Sequence, residues 1–391
     1  MIERTFAGLA AAVAACLVTF APVVVRAEEP VPTGTWKGTV GSAAVMVCFA
    51  QAGESEYYYL RHKRSIHLWP SGDKRDDNRL SAEAIAKAWR SGRLELDERA
   101  PSADGEGKAS GHWQLEAKSA TEVTGTWTAP AGGKTVAISL QKLSSAEPQA
   151  AAYGTACGPA YYEPIRGAIQ LKYKPAQFEG HAYREVSSEE GTAIEVPASM
   201  PHAGEFNRYV LGWLRDQSAI AYDCNANRSD GVGDHIGSSL SPVVWTPQFL
   251  VLQDMTPEIY CGGAHGSSSL SYVTWAIERG KFVDAWGWLQ GGQKALVAHE
   301  DKQGQTIKSG LFRLIARAHP RNAEGDDCKD VLDQMSVQAP YPRPQGLVFP
   351  TGFFHAMRAC DDEVTIAWKQ LAPYLSAEGR ILAEKWPRPG R

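Results

Sequence analysis

The chain lacks the cysteine and histidine spacings of the common metal and redox sites. None of its seven cysteines forms a CxxC pair, which argues against zinc ribbons and thioredoxin-like chemistry. Its ten histidines include no HExxH and no His-x-His pair, so a zinc protease has little support. Excess positive charge is missing too. The net charge is −4, and a nucleic-acid partner, which needs a basic face, is not expected. Beyond the N-terminal leader, no segment has the ~18 uninterrupted apolar residues of a membrane span.

What is present begins with an export signal. One basic residue, Arg4, precedes the apolar run of residues 5–25, and "VRA" precedes Glu28. Cleavage is expected after Ala27, making residues 1–27 a signal peptide and the product periplasmic or secreted. The alternative is a lipoprotein anchored through Cys16 in "VAAC", but the apolar run continues past Cys16 where a tether is usually polar. Removing the leader leaves Cys48, Cys157, Cys224, Cys261, Cys328 and Cys360. An even count in an exported chain favours disulfides, with about 15 possible connectivities. At ~100–200 residues per domain, two domains are expected.

Residues 32–143 read as an all-β meander or small barrel. "GTWKGTVGSAAVMVCFA", "EYYYLRHKRSIHLWP", "GRLELDERA", "GHWQLEAK", "VTGTWTA" and "KTVAISLQKL" are short runs mostly divided by turns, and the second reads as one half-exposed strand. "GTW" occurs at Gly34 and Gly125 and suggests two strands meeting. "SAEAIAKAWRSG" has helical spacing. Residues 144–160, rich in small residues, are the expected linker. Residues 161–386 read as an α+β domain with a mainly antiparallel sheet, because strands and helices come in blocks. "EFNRYVLGWL" places Phe206, Tyr209, Val210, Trp213 and Leu214 on one helical face. "LFRLIARAHP" is a second helix and "CKDVLDQM" a short third. "SPVVWTPQFLVLQDM" reads as one long strand, "LSYVTWAIERGKFV" as strand, turn and strand, and "GLVFPTGFFHAM" and "EVTIAWKQLAPYL" as strands.

The conspicuous motif is "EIYCGGAHGSSS", residues 258–269. Gly262, Gly263 and Gly266 suit a corner needing positive φ or close backbone approach. His265 is a structural or partner-facing residue on this reading, and a general base on the other. No serine in a GxSxG setting and no Lys-Ser/Thr after the glycines is present, which excludes a hydrolase elbow and a phosphate loop. Asp230, Asp234 and His235 share a polar glycine-rich loop, read as a loop rather than a metal site; neither metal nor cofactor is expected. His355 and Cys360 have no second ligand pair beside them. The 12 tryptophans and 14 tyrosines could stack on sugars or anchor an interface. For Trp275, Trp286 and Trp288 the hydrophobic core is the better reading.

"YCGGAHGSSSLSYVTWAIERGKFVDAWGWL", with Tyr260, Gly262, Gly263, Ala264 and His265, resembles the Tyr-x-Gly-Gly-Ala-His hallmark of the RsiV-like extracytoplasmic domain family. Gly280 and Lys281 stand at its strand-joining turn, and "QGLVFPTGFFHAMRACDDEVTIAWKQLAPYL" is similar to its closing pattern. The likeness spans about residues 196–375. Family members include lysozyme-binding ectodomains of anti-sigma factors and accessory domains of peptidoglycan deacetylases. The resemblance implies an envelope protein that binds a partner such as lysozyme, another muramidase or a peptidoglycan fragment. It gives no reaction, and the sequence shows no sigma-binding segment. Its sheet also implies the pairs Cys224–Cys261 and Cys328–Cys360, leaving Cys48 with Cys157. Two alternatives stand beside the binding protein: an envelope glycan hydrolase using His265 with Asp234 or Asp254, and a structural envelope module.

Overall fold

A computed structural model describes residues 33–49, 55–71, 93–99, 109–145, 158–226, 237–259, 267–300, 306–320 and 327–386. Period-2 patterning dictates the first unit. Along Arg93–Arg99, Leu94, Leu96 and Glu98 are buried, while Arg93, Glu95 and Asp97 alternate with them on the outer side. Eight such strands form a closed antiparallel barrel. They are β1 (Gly34–Val40), β2 (Ala43–Phe49), β3 (Ser55–Tyr59), β4 (Ile66–Pro70), β5 (Arg93–Arg99), β6 (Ala109–Ser119), β7 (Glu122–Thr128) and β8 (Thr135–Ser145). Each pairs with the next, and β8 returns to β1. Trp36, Tyr57 and Trp113 fill the interior among Val45, Leu96 and Leu140. The two "GTW" strands, β1 and β7, do not pair with each other. Each pairs with β8 from opposite sides.

The segment read as one half-exposed strand, "EYYYLRHKRSIHLWP", is instead a hairpin. β3 ends at Tyr59, whose carbonyl accepts from the N–H groups of His62 and Lys63 at 2.8 and 2.9 Å. The chain then turns through Lys63, at φ 49°, into β4. The strand is not half-exposed either: Tyr57 points into the barrel core, and the outward Tyr58 is equally buried, under aromatic rings from beyond the barrel.

Those rings come from α1 (Pro159–Arg166) and from α2 (Ala203–Ala226), which belongs to the second unit. There β9 (Lys172–Phe178), β10 (His181–Ser187), β11 (Gly191–Glu195), β12 (Ser238–Trp245), β13 (Phe249–Ile259), β14 (Ser267–Ala276) and β15 (Lys281–Val283) form a seven-stranded sheet. Its order is β15-β14-β13-β12-β11-β10-β9. Within it, β11 and β12 are parallel and the other neighbours antiparallel. A parallel pair needs a long crossover, and α2 supplies it. Phe206, Val210 and Leu214 of α2, one helical stripe, are buried against Ile194, Leu240, Leu250 and Leu252 of the sheet. Asn207 fixes the helix to the end of β11, accepting from Val196 N–H at 2.9 Å and donating to its carbonyl at 3.0 Å.

The expected long strand of residues 241–255 is two strands, β12 and β13. Pro247 cannot donate to a ladder, and Thr246 closes the turn by accepting from Phe249 N–H through Oγ1 at 3.0 Å. The turn between β14 and β15 matches its expectation, with Gly280 left-handed at φ 61°.

Beyond β15 lie the small pair β16 (Val297–Glu300) and β17 (Thr306–Lys308), then α3 (Gly310–Ala318), capped by Ser309 Oγ. A last sheet has β20 (Gly346–Gly352) at its centre, paired with β18 (Ser336–Val337), β19 (Tyr341–Arg343) and β21 (Asp362–Ala367). The terminal helix is α4 (Ala377–Lys385). Three readings here need correction. "CKDVLDQM" forms a 3₁₀ helix, the chain after β20 turns into a 3₁₀ helix at His355–Cys360, and β21 gives way to a helical turn at Trp368–Leu371. Trp275 and Trp288 are core residues and Trp286 packs against the core.

Cys328 and Cys360 form the expected disulfide, with Cα atoms 5.5 Å apart. Cys48 and Cys224 each take part in a disulfide of their own; Cys157 and Cys261 lie outside the described residues. The helix-like residues 81–92 lie outside them as well. No helix among the described residues is long and apolar enough to cross a membrane.

Candidate functional site

The glycine motif joins β13 to β14. Tyr260, Cys261, Gly262, Gly263, Ala264, His265 and Gly266 lie outside the described residues, as do Asp230, Asp234 and His235. Thr256 pairs with Ser269 and Ile259 with Ser267, with a register shift between them. Arg358 donates to Ser268 Oγ from the 3₁₀ turn that carries Cys360, so the hairpin is tied to the disulfide-bonded segment. On the same face as Ser268, Tyr272 stacks on Tyr341 at 4.7 Å. Both hydroxyls donate to Glu363 of β21, Tyr341 at 2.7 Å, and Gln253 donates to Tyr272 at 3.1 Å. Burial and the Glu363 hydrogen bonds raise both phenol pKa values. The tyrosines therefore stay protonated and serve as donors that join the two sheets.

Asp254, the described member of the proposed acid–base set, faces the other way. It lies on β13 beneath α2, and its Oδ2 accepts from Trp213 Nε1 at 3.1 Å. Burial raises its pKa above the ordinary 3.8, opposed by the indole hydrogen bond. A raised folded-state value means that the fold prefers the protonated acid. Its contribution is present at pH below 3.8 and is lost as pH rises through the folded value. Asp254→Asn, which keeps an acceptor for Trp213, is therefore expected to melt above the wild type at neutral pH. The two should converge in acid. Thermal melts across pH 3–8 (roughly the carboxylate range and above) check this, and a neutral-pH loss would contradict it.

The barrel carries two further constellations, neither singled out from sequence. Ser71, Asp97 and His112 contain the residue types of a serine hydrolase, but their geometry is wrong. Asp97 Oδ1 and Ser71 Oγ both meet His112 Nδ1, at 2.9 and 3.1 Å, and Ser71 also donates to Asp97 at 2.9 Å. A relay needs the carboxylate and the nucleophile on opposite ring nitrogens. Glu98, inside the barrel, accepts from Tyr57 at 2.7 Å, Trp127 at 2.6 Å and Ser110 at 2.8 Å. Its signal was a charged residue in phase with the inward Leu94 and Leu96.

The large cleft lies between the two units and has a volume of about 1220 Å³. The turn from Arg61 to Arg64 forms one wall, and Ser188, Glu189 and Glu190, from the turn between β10 and β11, belong to the α+β wall. Ile165 and Ile169 add apolar surface, and Ser65, Ser218 and Tyr222 contribute polar lining. Below them Ser65 donates to the buried Glu56, and Tyr222 OH meets Tyr161 OH at 3.0 Å. Among the described residues no group of acidic, histidine or cysteine side chains could hold a metal ion.

No family model matches the chain, and no curated protein matches it. Among solved structures, a DUF3298 family protein from Pseudomonas aeruginosa gives a loose likeness. It is 12% identical with a TM-score of 0.34, over 54% of this chain and 93% of that one.

Proposed function

We propose that this is a non-enzymatic, exported binding protein of the cell envelope, released with Glu28 at its N-terminus and an RsiV-like second domain. The observation that carries the reading is the cleft between the barrel and the α+β unit. Its volume of about 1220 Å³ exceeds the ~300–1,000 Å³ of ordinary small-molecule sites, which suits an extended ligand or a protruding part of a partner. The hallmark around His265 supports an envelope partner: lysozyme, another muramidase or a peptidoglycan fragment. The misaligned Ser71–Asp97–His112 cluster and the placement of Asp254 under Trp213 favour binding over hydrolysis.

The test is retention of the purified mature chain on isolated peptidoglycan sacculi and on immobilised lysozyme, with soluble glycan fragments measured in parallel. Saturable retention without fragment release is expected. Glycan turnover by the wild type that disappears in a folded His265→Ala variant would overturn the reading in favour of a hydrolase.

A further inference from the structure

We propose that the cleft between barrel and α+β unit binds an acidic saccharide chain, with its anionic groups on the Arg61–Arg64 turn. The proposal rests on the binding-protein reading and names the ligand class of its cleft. The protein is mildly acidic overall, yet "RHKR" places four basic residues in succession. The structure sets them on the tight turn between β3 and β4, along one wall of the cleft.

Arg61, His62 and Arg64 are exposed. Among the described residues, Arg61, Lys63 and Arg64 have no ion-pair partner, although several other arginines do. Arg61 donates instead to His62 Nε2 at 3.0 and 3.2 Å, a contact between two members of the same turn that leaves the guanidinium charge uncompensated. Three cations held together without ion-pair partners, beside a large cavity, favour a ligand with repeated negative groups.

The rest of the lining suits sugar hydroxyls. Gln170 offers a side chain that both donates and accepts, and the Ser188 hydroxyl, which itself donates to the Gly191 carbonyl, keeps acceptor capacity. Glu189 belongs to the α+β wall of the same cleft, where its carboxylate accepts from hydroxyls and repels the ligand's anionic groups. That sets an orientation, with anionic groups toward the barrel. Tyr59, only partly buried, supplies aromatic surface on which a pyranose ring can pack. The described lining consists largely of turns and helix residues, and an acidic peptide would find fewer backbone partners there than on an open strand edge.

Titration calorimetry on the whole mature chain tests this with three probes of equal length: tetragalacturonate, chitotetraose and tetraglutamate. Tetragalacturonate is expected to bind at least about tenfold more tightly than either of the others. Its affinity should fall as salt rises from ~50 to ~500 mM, because screening shortens the reach of the turn's charges. The triple variant Arg61→Gln, Lys63→Gln, Arg64→Gln should weaken it by about tenfold or more with an unchanged melting temperature. A folded Gln170→Ala variant should weaken it more mildly, by reducing hydroxyl contacts. Equal binding of tetraglutamate would overturn the saccharide assignment in favour of an acidic peptide. Equal binding of chitotetraose, an unaffected triple variant or no tetragalacturonate binding would overturn the proposal. Sacculus or lysozyme retention that survives the triple variant would leave the binding-protein reading intact while removing this one. A wild type that neither retains on sacculi or lysozyme nor binds any of the three probes would remove both.

Discussion

Glu98→Leu is expected to lower the unfolding free energy by about 3 kcal/mol, whereas Glu98→Gln should lose about 1 kcal/mol. Two effects oppose each other in the leucine variant. Removing a carboxylate that is 7% exposed relieves the cost of burying it. The donors around it then lose their acceptor. Trp127 and Ser110 are only partly buried and can turn to water, but Tyr57 and Trp113 are fully buried. Tyr57 OH loses its 2.7 Å bond and Trp113 Nε1 its 3.4 Å contact. Stranding buried donors costs ~1–3 kcal/mol each, more than the relief when the carboxylate was already well solvated by the protein. Glutamine escapes most of this. Its carbonyl can replace Oε2 before the tyrosine and indoles, and its amide can face Ser110, which is able to accept. Gly111 belongs to the same design: a Cβ there would lie 2.1 Å from Trp127 Nε1 and 3.0 Å from Glu98 Oε2. Urea unfolding of both variants measures the difference. Equal losses, or a stable leucine variant, would show that the carboxylate contributes little to holding the barrel.

Local pattern made much of this architecture legible, while long-range placement stayed hidden. Alternation in β5 and the 3.6-residue stripe of α2 are statements about one face of one element, and short windows record them. The glycine turn before Lys281 is equally local. The hairpin of β3 and β4 was missed because Tyr57, Tyr58 and Tyr59 break the alternation. Three successive aromatics meant that both faces of the strand are covered, and the cover arrives from residues about a hundred positions later. The cleft was hidden for the same reason. "RHKR" is conspicuous in the sequence, but nothing in it sets that turn in one cleft with Glu189 and Glu190. At the glycine motif the strand-to-strand position was legible from the apolar runs on either side. The link from Arg358 to Ser268 was not, since it depends on how the last sheet packs on the seven-stranded one.

The junction between the units yields the other large expected effect. Tyr161→Ala should cost about 3–5 kcal/mol and split the thermal unfolding of the protein into two transitions. Tyr161 is fully buried, with ring centroids 5.1 Å from Tyr58, 5.2 Å from Tyr162 and 6.1 Å from Tyr222. Tyr58 belongs to the barrel and Tyr222 to α2, so this one ring touches both units. Its backbone carbonyl accepts from Tyr58 OH at 2.6 Å, and its hydroxyl meets Tyr222 OH at 3.0 Å. Burial raises the pKa of both Tyr161 and Tyr222 well above 10.0, so the pair stays protonated and hydrogen-bonded across the neutral range. Truncation to alanine leaves a ring-sized void at the centre of the junction cluster, among Met46, Cys48, Tyr58, Tyr162, Ile165, Ala219 and Tyr222. The barrel core and the sheet core are separate clusters, so each unit can remain folded when the coupling fails. Tyr161→Phe keeps the packing and loses one hydroxyl, at about 1 kcal/mol, and should preserve a single transition. Differential scanning calorimetry separates the cases: one endotherm for the wild type and Tyr161→Phe, and two for Tyr161→Ala. A single endotherm in the alanine variant, merely shifted down, would mean that other contacts hold the units together. The cleft above Tyr222 would then keep its shape without the tyrosine cluster beneath it.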